Sequence, residues 1–158
     1  MAKQGIELVC VPPDEVGRAW PHARPLILAA MKRGGLSSFQ PVEDAVLRGD
    51  ALLWLAIARE EHQGVGGDGA CIAAAAVTEL HQTEWRKACV LIACGGASGR
   101  SRPSSLAMGA DRWIGLLDGI EAYARAAGCE AVRLMGREGW QRLLPSYRRT
   151  GIVLERTL

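Results

Sequence analysis

No apolar run in this sequence is long enough to cross a membrane. The longest, residues 51–58 and 70–77, span eight positions each, against the roughly 20 that a spanning helix needs. The opening stretch MAKQGIELVCV lacks the apolar region of a signal peptide, so the expected location is cytoplasmic. The five cysteines (10, 71, 89, 94 and 129) form no CxxC pair, and there are three histidines. No zinc-ligand spacing results, and the thiols are expected to be reduced and mostly buried. The formal net charge of +2 is too small to mark a nucleic-acid binder. Lysine is scarce: positions 3, 32 and 87 only, against 16 arginines. Arginine suits bidentate phosphate or carboxylate contacts, so this bias leaves an anion-binding role open. The Gly95–Met108 segment carries neither GK[ST] nor GxGxxG, and no GxSxG elbow surrounds Ser98. Standard ATP, dinucleotide and serine-hydrolase readings therefore lack their signatures there.

What is present describes one ordinary domain. The chain has 158 residues, 49% hydrophobic and 23% charged, which excludes disorder as its main state. Aromatic residues make up 5%, and five of them are Trp. Trp54, Trp113 and Trp140 sit in apolar patterns and are expected in the core. Trp20 and Trp85 lie near segment ends, where they could line a cleft.

The patterning predicts ten elements. Ile6–Val11 reads as a short strand before Pro12-Pro13. A helix follows from about Asp14 to residue 32, with Pro21 and Pro25 expected to kink or split it. A shorter helix starts near Pro41 and closes at Arg48-Gly49-Asp50. Ala51–Arg59, Ala70–Glu79 and Arg86–Cys94 read as strands of an antiparallel meander. Their continuous apolar character predicts a sheet covered on both faces. Gly95–Met108 is a long Gly/Ser/Arg segment. Ala110–Ala127 is the clearest amphipathic helix, with Gly128 as its stop. Glu130–Met135 is a strand, Arg137–Leu144 a short helix, and Thr150–Leu158 a last strand. The order β-α-α-β-β-β-α-β-α-β predicts an α+β, three-layer α/β/α domain over residues 1–158.

Chemistry concentrates where the third meander strand runs into Gly95-Gly96-Ala97 and then a long helix. Free backbone N–H groups and a helix N-terminus favour an anion there, and glycines let a ligand approach closely. Arg100 and Arg102 add positive charge. Residues 131–150 carry five arginines against Glu138 alone. They read either as a solvated face or as a surface for phosphates or another acidic partner.

This element order resembles the GNAT superfamily of N-acyltransferases over nearly the whole chain. In that family a [Q/R]xxGx[G/A] motif holds the acyl-CoA pyrophosphate. The matching segment here is Ile92-Ala93-Cys94-Gly95-Gly96-Ala97, with Ile92 where the family has Gln or Arg. A second family pattern, YxxxGF, is matched by Tyr147-Arg148-Arg149-Thr150-Gly151-Ile152. The C-terminal stretch also resembles short GNAT-like proteins of phages and prophages. The resemblance implies acetyl-CoA or another acyl-CoA as cofactor, bound at residues 93–97 with Arg100 and Arg102. It implies a small-molecule or protein amine as acceptor, and Tyr147 as the acid that protonates the departing thiolate. Base candidates near the meander's last turn are Glu79, His81 and Glu84, of which His81 has a suitable intrinsic pKa. The alternative is a GNAT-like fold without transferase activity, kept as a phage-derived binding or assembly module; Ile92 favours it. A homodimer and a nucleic-acid-associated substrate are both compatible with the sequence.

Overall fold

The structure is a computed structural model that describes residues 5–34, 37–60, 69–97, 108–136, 139–151, 154, 156 and 157. The elements run β1 (Ile6–Cys10), α1 (Val16–Gly34), α2 (Phe39–Arg48), β2 (Leu52–Glu60), β3 (Gly69–Gln82), β4 (Lys87–Gly96), α3 (Ala110–Ala126), β5 (Ala131–Leu134) and α4 (Gly139–Leu143). This is the expected order as far as the described residues reach. Of the expected last strand, residues 150, 151, 154, 156 and 157 are described, and none lies in a strand. Residues 152, 153, 155 and 158 lie outside the described set. No described helix is long and apolar enough to cross a membrane.

The five strands form one sheet in the order β1-β2-β3-β4-β5. β1 to β4 pair antiparallel, and β4 pairs with β5 in parallel. The parallel step is what the α3 crossover produces, because a helix between two strands brings the second back in the same direction. Side chains alternate across the sheet and build two cores. On one face Leu53, Leu55, Ala75, Val77 and Ala93 meet α1 and α2. On the other, Trp54, Ala56, Ala74, Ala76, Cys89 and Leu91 meet α3 and α4. Ala73–Ala76 are fully buried in β3. Small side chains there let helices from both layers approach, and strand context overrides alanine's helical propensity.

Pro21 and Pro25 do not split α1, which runs unbroken through both. Pro25 stands four residues after Pro21, so the missing N–H groups fall on one side of the helix. Both prolines are exposed, where water serves the freed carbonyls. Val16, Trp20, Ala23, Ile27 and Met31 hold the opposite side against the sheet. Trp20 is correspondingly core, 4% exposed, and does not line a cleft. Its indole N–H donates to Glu43 Oε2 at 2.6 Å, and the same carboxylate takes Arg24 Nε at 2.5 Å. These two bonds hold the Glu43 carboxyl below the usual carboxylate range and clamp α1 to α2. Trp85 is the opposite case, 82% exposed in the β3–β4 turn.

Candidate active site

The segment that follows Leu91 on β4 is unlike the rest of the sheet. Pairing between β4 and β5 ends at Leu91↔Leu134. On the other side, the β3–β4 register shifts between Val77 and Thr78, so that Ile92 is an extra residue opposite no single partner. Leu91 faces α3, Ile92 and Ala93 both pack toward α1, and Cys94 turns back toward α3. Two successive side chains on one face are the signature of a β-bulge. Ile92 occupies the bulge and packs, half-buried, against the α1-side core.

Among the described residues, β4 beyond the bulge keeps one partner strand. Ala97 N–H donates to Ala73 O at 2.8 Å. In an antiparallel ladder alternate residues address the same neighbour, so Gly95 shares that side with Ala97. The N–H and C=O groups of Cys94 and Gly96 therefore point to the side where β5 has ended. The expected cradle of three free N–H groups at residues 95–97 becomes an open strand edge at Cys94 and Gly96. Gly95 and Gly96 belong to β4 and not to the following loop.

The two glycines have different neighbours. A Cβ on Gly95 would land on the backbone of α1, against the carbonyl oxygen of Leu26, with Ala30 Cβ at 3.3 Å. A Cβ on Gly96 would meet only side chains, Met108 Cγ and Trp113 Cζ2, each at 3.3 Å. Met108 is two residues before α3, so the N-terminus of that helix is brought to the Gly96 edge. Trp113 stands edge-on to Trp140 at 5.4 Å, and together they tie α3 to α4 beside the open edge. Burial pushes the Cys94 thiol up to about 11, with Arg33 at the end of α1 pulling weakly the other way. Cys94 is thus a protonated, structural thiol, and Arg33 places a positive charge near this half of β4. Nothing in the sequence links Arg33 to residue 94; packing of α1 on β4 does so. Arg100 and Arg102 lie outside the described residues.

The acid and base candidates are separated. Val77 faces α1 and strand alternation puts Glu79 and His81 on the same face. His81 Nε2 and Glu79 Oε2 are 3.0 Å apart and both are accessible. Glu79 stands two residues from Val77, the partner of Ala93, or about 7 Å along the strand, and His81 about 13 Å. Glu84 is exposed in the turn. Tyr147 lies across the sheet, packed in the α3-side core after α4. Its hydroxyl donates to Glu121 Oε1 at 2.8 Å, and Arg125 donates to Glu121 Oε2 at 3.0 Å. Burial first, and then the bond to Glu121, push the Tyr147 phenol far above its ordinary value. Glu121 was not distinguishable in the sequence, where it is one more polar position of an amphipathic helix.

No family model matches the chain, and no curated protein does. Solved structures do match, over nearly their whole length. An aminoglycoside acetyltransferase from an uncultured soil metagenomic sample, solved with trehalose, is 8% identical, with a TM-score of 0.60 over 97% of this chain and 96% of that one. A predicted acetyltransferase of Clostridium acetobutylicum, solved with acetyl-CoA, is 12% identical, with a TM-score of 0.55 over 97% and 96%. A GNAT family acetyltransferase of Staphylococcus aureus is 12% identical, with a TM-score of 0.53 over 97% and 98%. The chain has the α/β fold of the GNAT acetyltransferases.

Proposed function

We propose that this protein is an acyl-CoA-dependent N-acyltransferase that binds its cofactor along the open edge of β4. The observation that carries this reading is the coincidence of three features after Leu91: the bulge at Ile92, the end of pairing with β5, and Gly96 beside the start of α3. The residues fit an acyl-CoA. Cys94 and Gly96 offer an amide-containing arm backbone groups that no described strand pairs with. The helix terminus favours a pyrophosphate, and Met108 and Trp113 form an apolar wall.

Acyl-CoA supplies an acyl group as a thioester, and the acyl carbon exchanges its bond to sulfur for one to the amine nitrogen. The chain's part is to orient and to move protons. Backbone N–H groups on the open edge polarise a carbonyl. The Glu79–His81 pair takes the amine proton, directly or through water. Tyr147 gives the proton that the departing thiolate needs, and recovers one from solvent. Arg100 and Arg102 add charge for the phosphates.

An acetyl-transfer assay over a panel of small amines and peptides tests this, with Tyr147→Phe and His81→Gln alongside the parent. Acetylated product that falls at least tenfold in Tyr147→Phe supports the reading. A second reading, a GNAT fold serving as a binding module, is favoured by Ile92, a half-buried apolar side chain where the family carries a polar one. No product with any amine, from protein that remains folded, selects that second reading.

A further inference from the structure

The proton donor proposed above has a partner that nothing in the sequence motif supplies. The geometry points to Glu121 as the positioning residue of Tyr147: its carboxylate accepts the hydroxyl's hydrogen bond and aims it. This rests on the transferase reading for its catalytic meaning, and on the 2.8 Å bond alone for its physical content. Tyr147 lies in the turn after a short helix, with its N–H bonded to Leu144 O. The α3 carboxylate is what fixes the ring's far end. A cleft of about 220 Å³ opens beside it, lined among others by Ile114, Leu117, Asp118 and Leu143. Tyr147 and Glu121 both line that cleft, so the bonded pair stands beside open space.

The charges around the ring fall into place on this view. Asp118 and Glu121 face it from α3 and Cys89 from β4. The two carboxylates disfavour a phenolate, and Cys89 adds to this only as a thiolate, which its own burial opposes. Arg125 takes the other oxygen of Glu121, which tempers the effect and leaves Oε1 for the tyrosine. Removing the Glu121 charge lowers the pH at which Tyr147 ionises. Removing Arg125 exposes the carboxylate and raises it.

The test uses the full chain labelled with tyrosine carrying ¹³C at the ζ carbon. The protein has two tyrosines, and Tyr123→Phe assigns the two resonances. In the parent, Tyr147 stays in the phenol form past the ordinary tyrosine midpoint near pH 10. Glu121→Gln brings its midpoint down by about one unit or more, and its neutral-pH resonance moves because the bond to a carboxylate is lost. Arg125→Gln, on the exposed side of α3, moves the midpoint upward and keeps the test available should Glu121→Gln fold poorly. Midpoints and neutral-pH resonances unchanged in both variants overturn the proposal. In the transfer assay the basic limb of kcat/KM follows the same shift, which a merely structural Glu121 would not produce. A parent that binds no acetyl-CoA while the resonance shift is present removes the transferase reading and leaves the coupling standing. Normal turnover with no shift does the reverse.

Discussion

Replacing Gly95 by Ala puts a methyl group onto the carbonyl oxygen of Leu26, in the middle of α1. Two effects oppose each other. Alanine gains about 0.5–1 kcal/mol over glycine in a strand, because it loses less backbone entropy on folding. The methyl cannot be accommodated by a rotamer change, since what it meets is backbone, 3.0 Å from Leu26 carbon and 3.3 Å from Ala30 Cβ. Either α1 lifts from β4 or β4 bends, and overpacking of this kind costs about 1–3 kcal/mol, with a rigid partner at the upper end. The net expectation is a loss of about 2 kcal/mol, or about 4–8 °C in Tm for a domain of this size. Gly96→Ala meets only the ends of Met108 and Trp113, and should stay within about 1 kcal/mol of the parent. Urea unfolding followed by circular dichroism measures both. The reasoning fails if Gly95→Ala is as stable as the parent, or if Gly96→Ala is the more damaging of the two.

Two other perturbations follow from the same structure. Thr78, 1% exposed, accepts the Trp54 indole N–H at 2.9 Å. Thr78→Val leaves that donor buried and unpaired at a cost of about 1–3 kcal/mol. Thr78→Ser keeps the acceptor and should lose less; equal losses in urea unfolding would show that the bond contributes nothing. Cys94 is an acid whose folded pKa is raised from 9.0 to about 11. The folded state holds the proton more tightly, so its contribution is complete below pH 9 and is lost as pH rises through 11. That amounts to roughly 2–3 kcal/mol at about 1.4 kcal/mol per unit. Stability measured from pH 8 to 11 should fall steeply in the parent and less in Cys94→Ala; parallel curves would contradict the assignment.

Much of the fold is written in the sequence, for identifiable reasons. The meander strands are legible because residues 51–58, 70–77 and 88–94 are continuously apolar, and a strand buried on both faces must be. α3 is legible because Leu116, Leu117, Ile120 and Ala124 recur on one face, and Gly128 stops it with a positive φ of 77°. The strand ends were less visible. Gly95 and Gly96 look like a loop, yet they extend β4, because α1 packs so closely that only glycine fits at 95. The prolines of α1 suggested a break that solvent exposure on one side makes unnecessary. At the candidate site, the small residues at 93–97 fall on the strand that carries the bulge. Their division into β3-facing and open groups depends on a bulge, which one sequence does not reveal. The Tyr147–Glu121 bond and the proximity of Arg33 to Cys94 join positions 26 and 61 residues apart, and no local pattern encodes them.

The central claim is that the open edge of β4 holds an acyl-CoA. Calorimetric titration with acetyl-CoA tests it most directly, on the parent and on Gly96→Arg, whose side chain would occupy the edge between Met108 and Trp113. Circular dichroism confirms that the variant is folded. The account predicts saturable micromolar binding in the parent and none in Gly96→Arg. No heat of binding by the parent at millimolar acetyl-CoA, or equal binding by the folded variant, would contradict it.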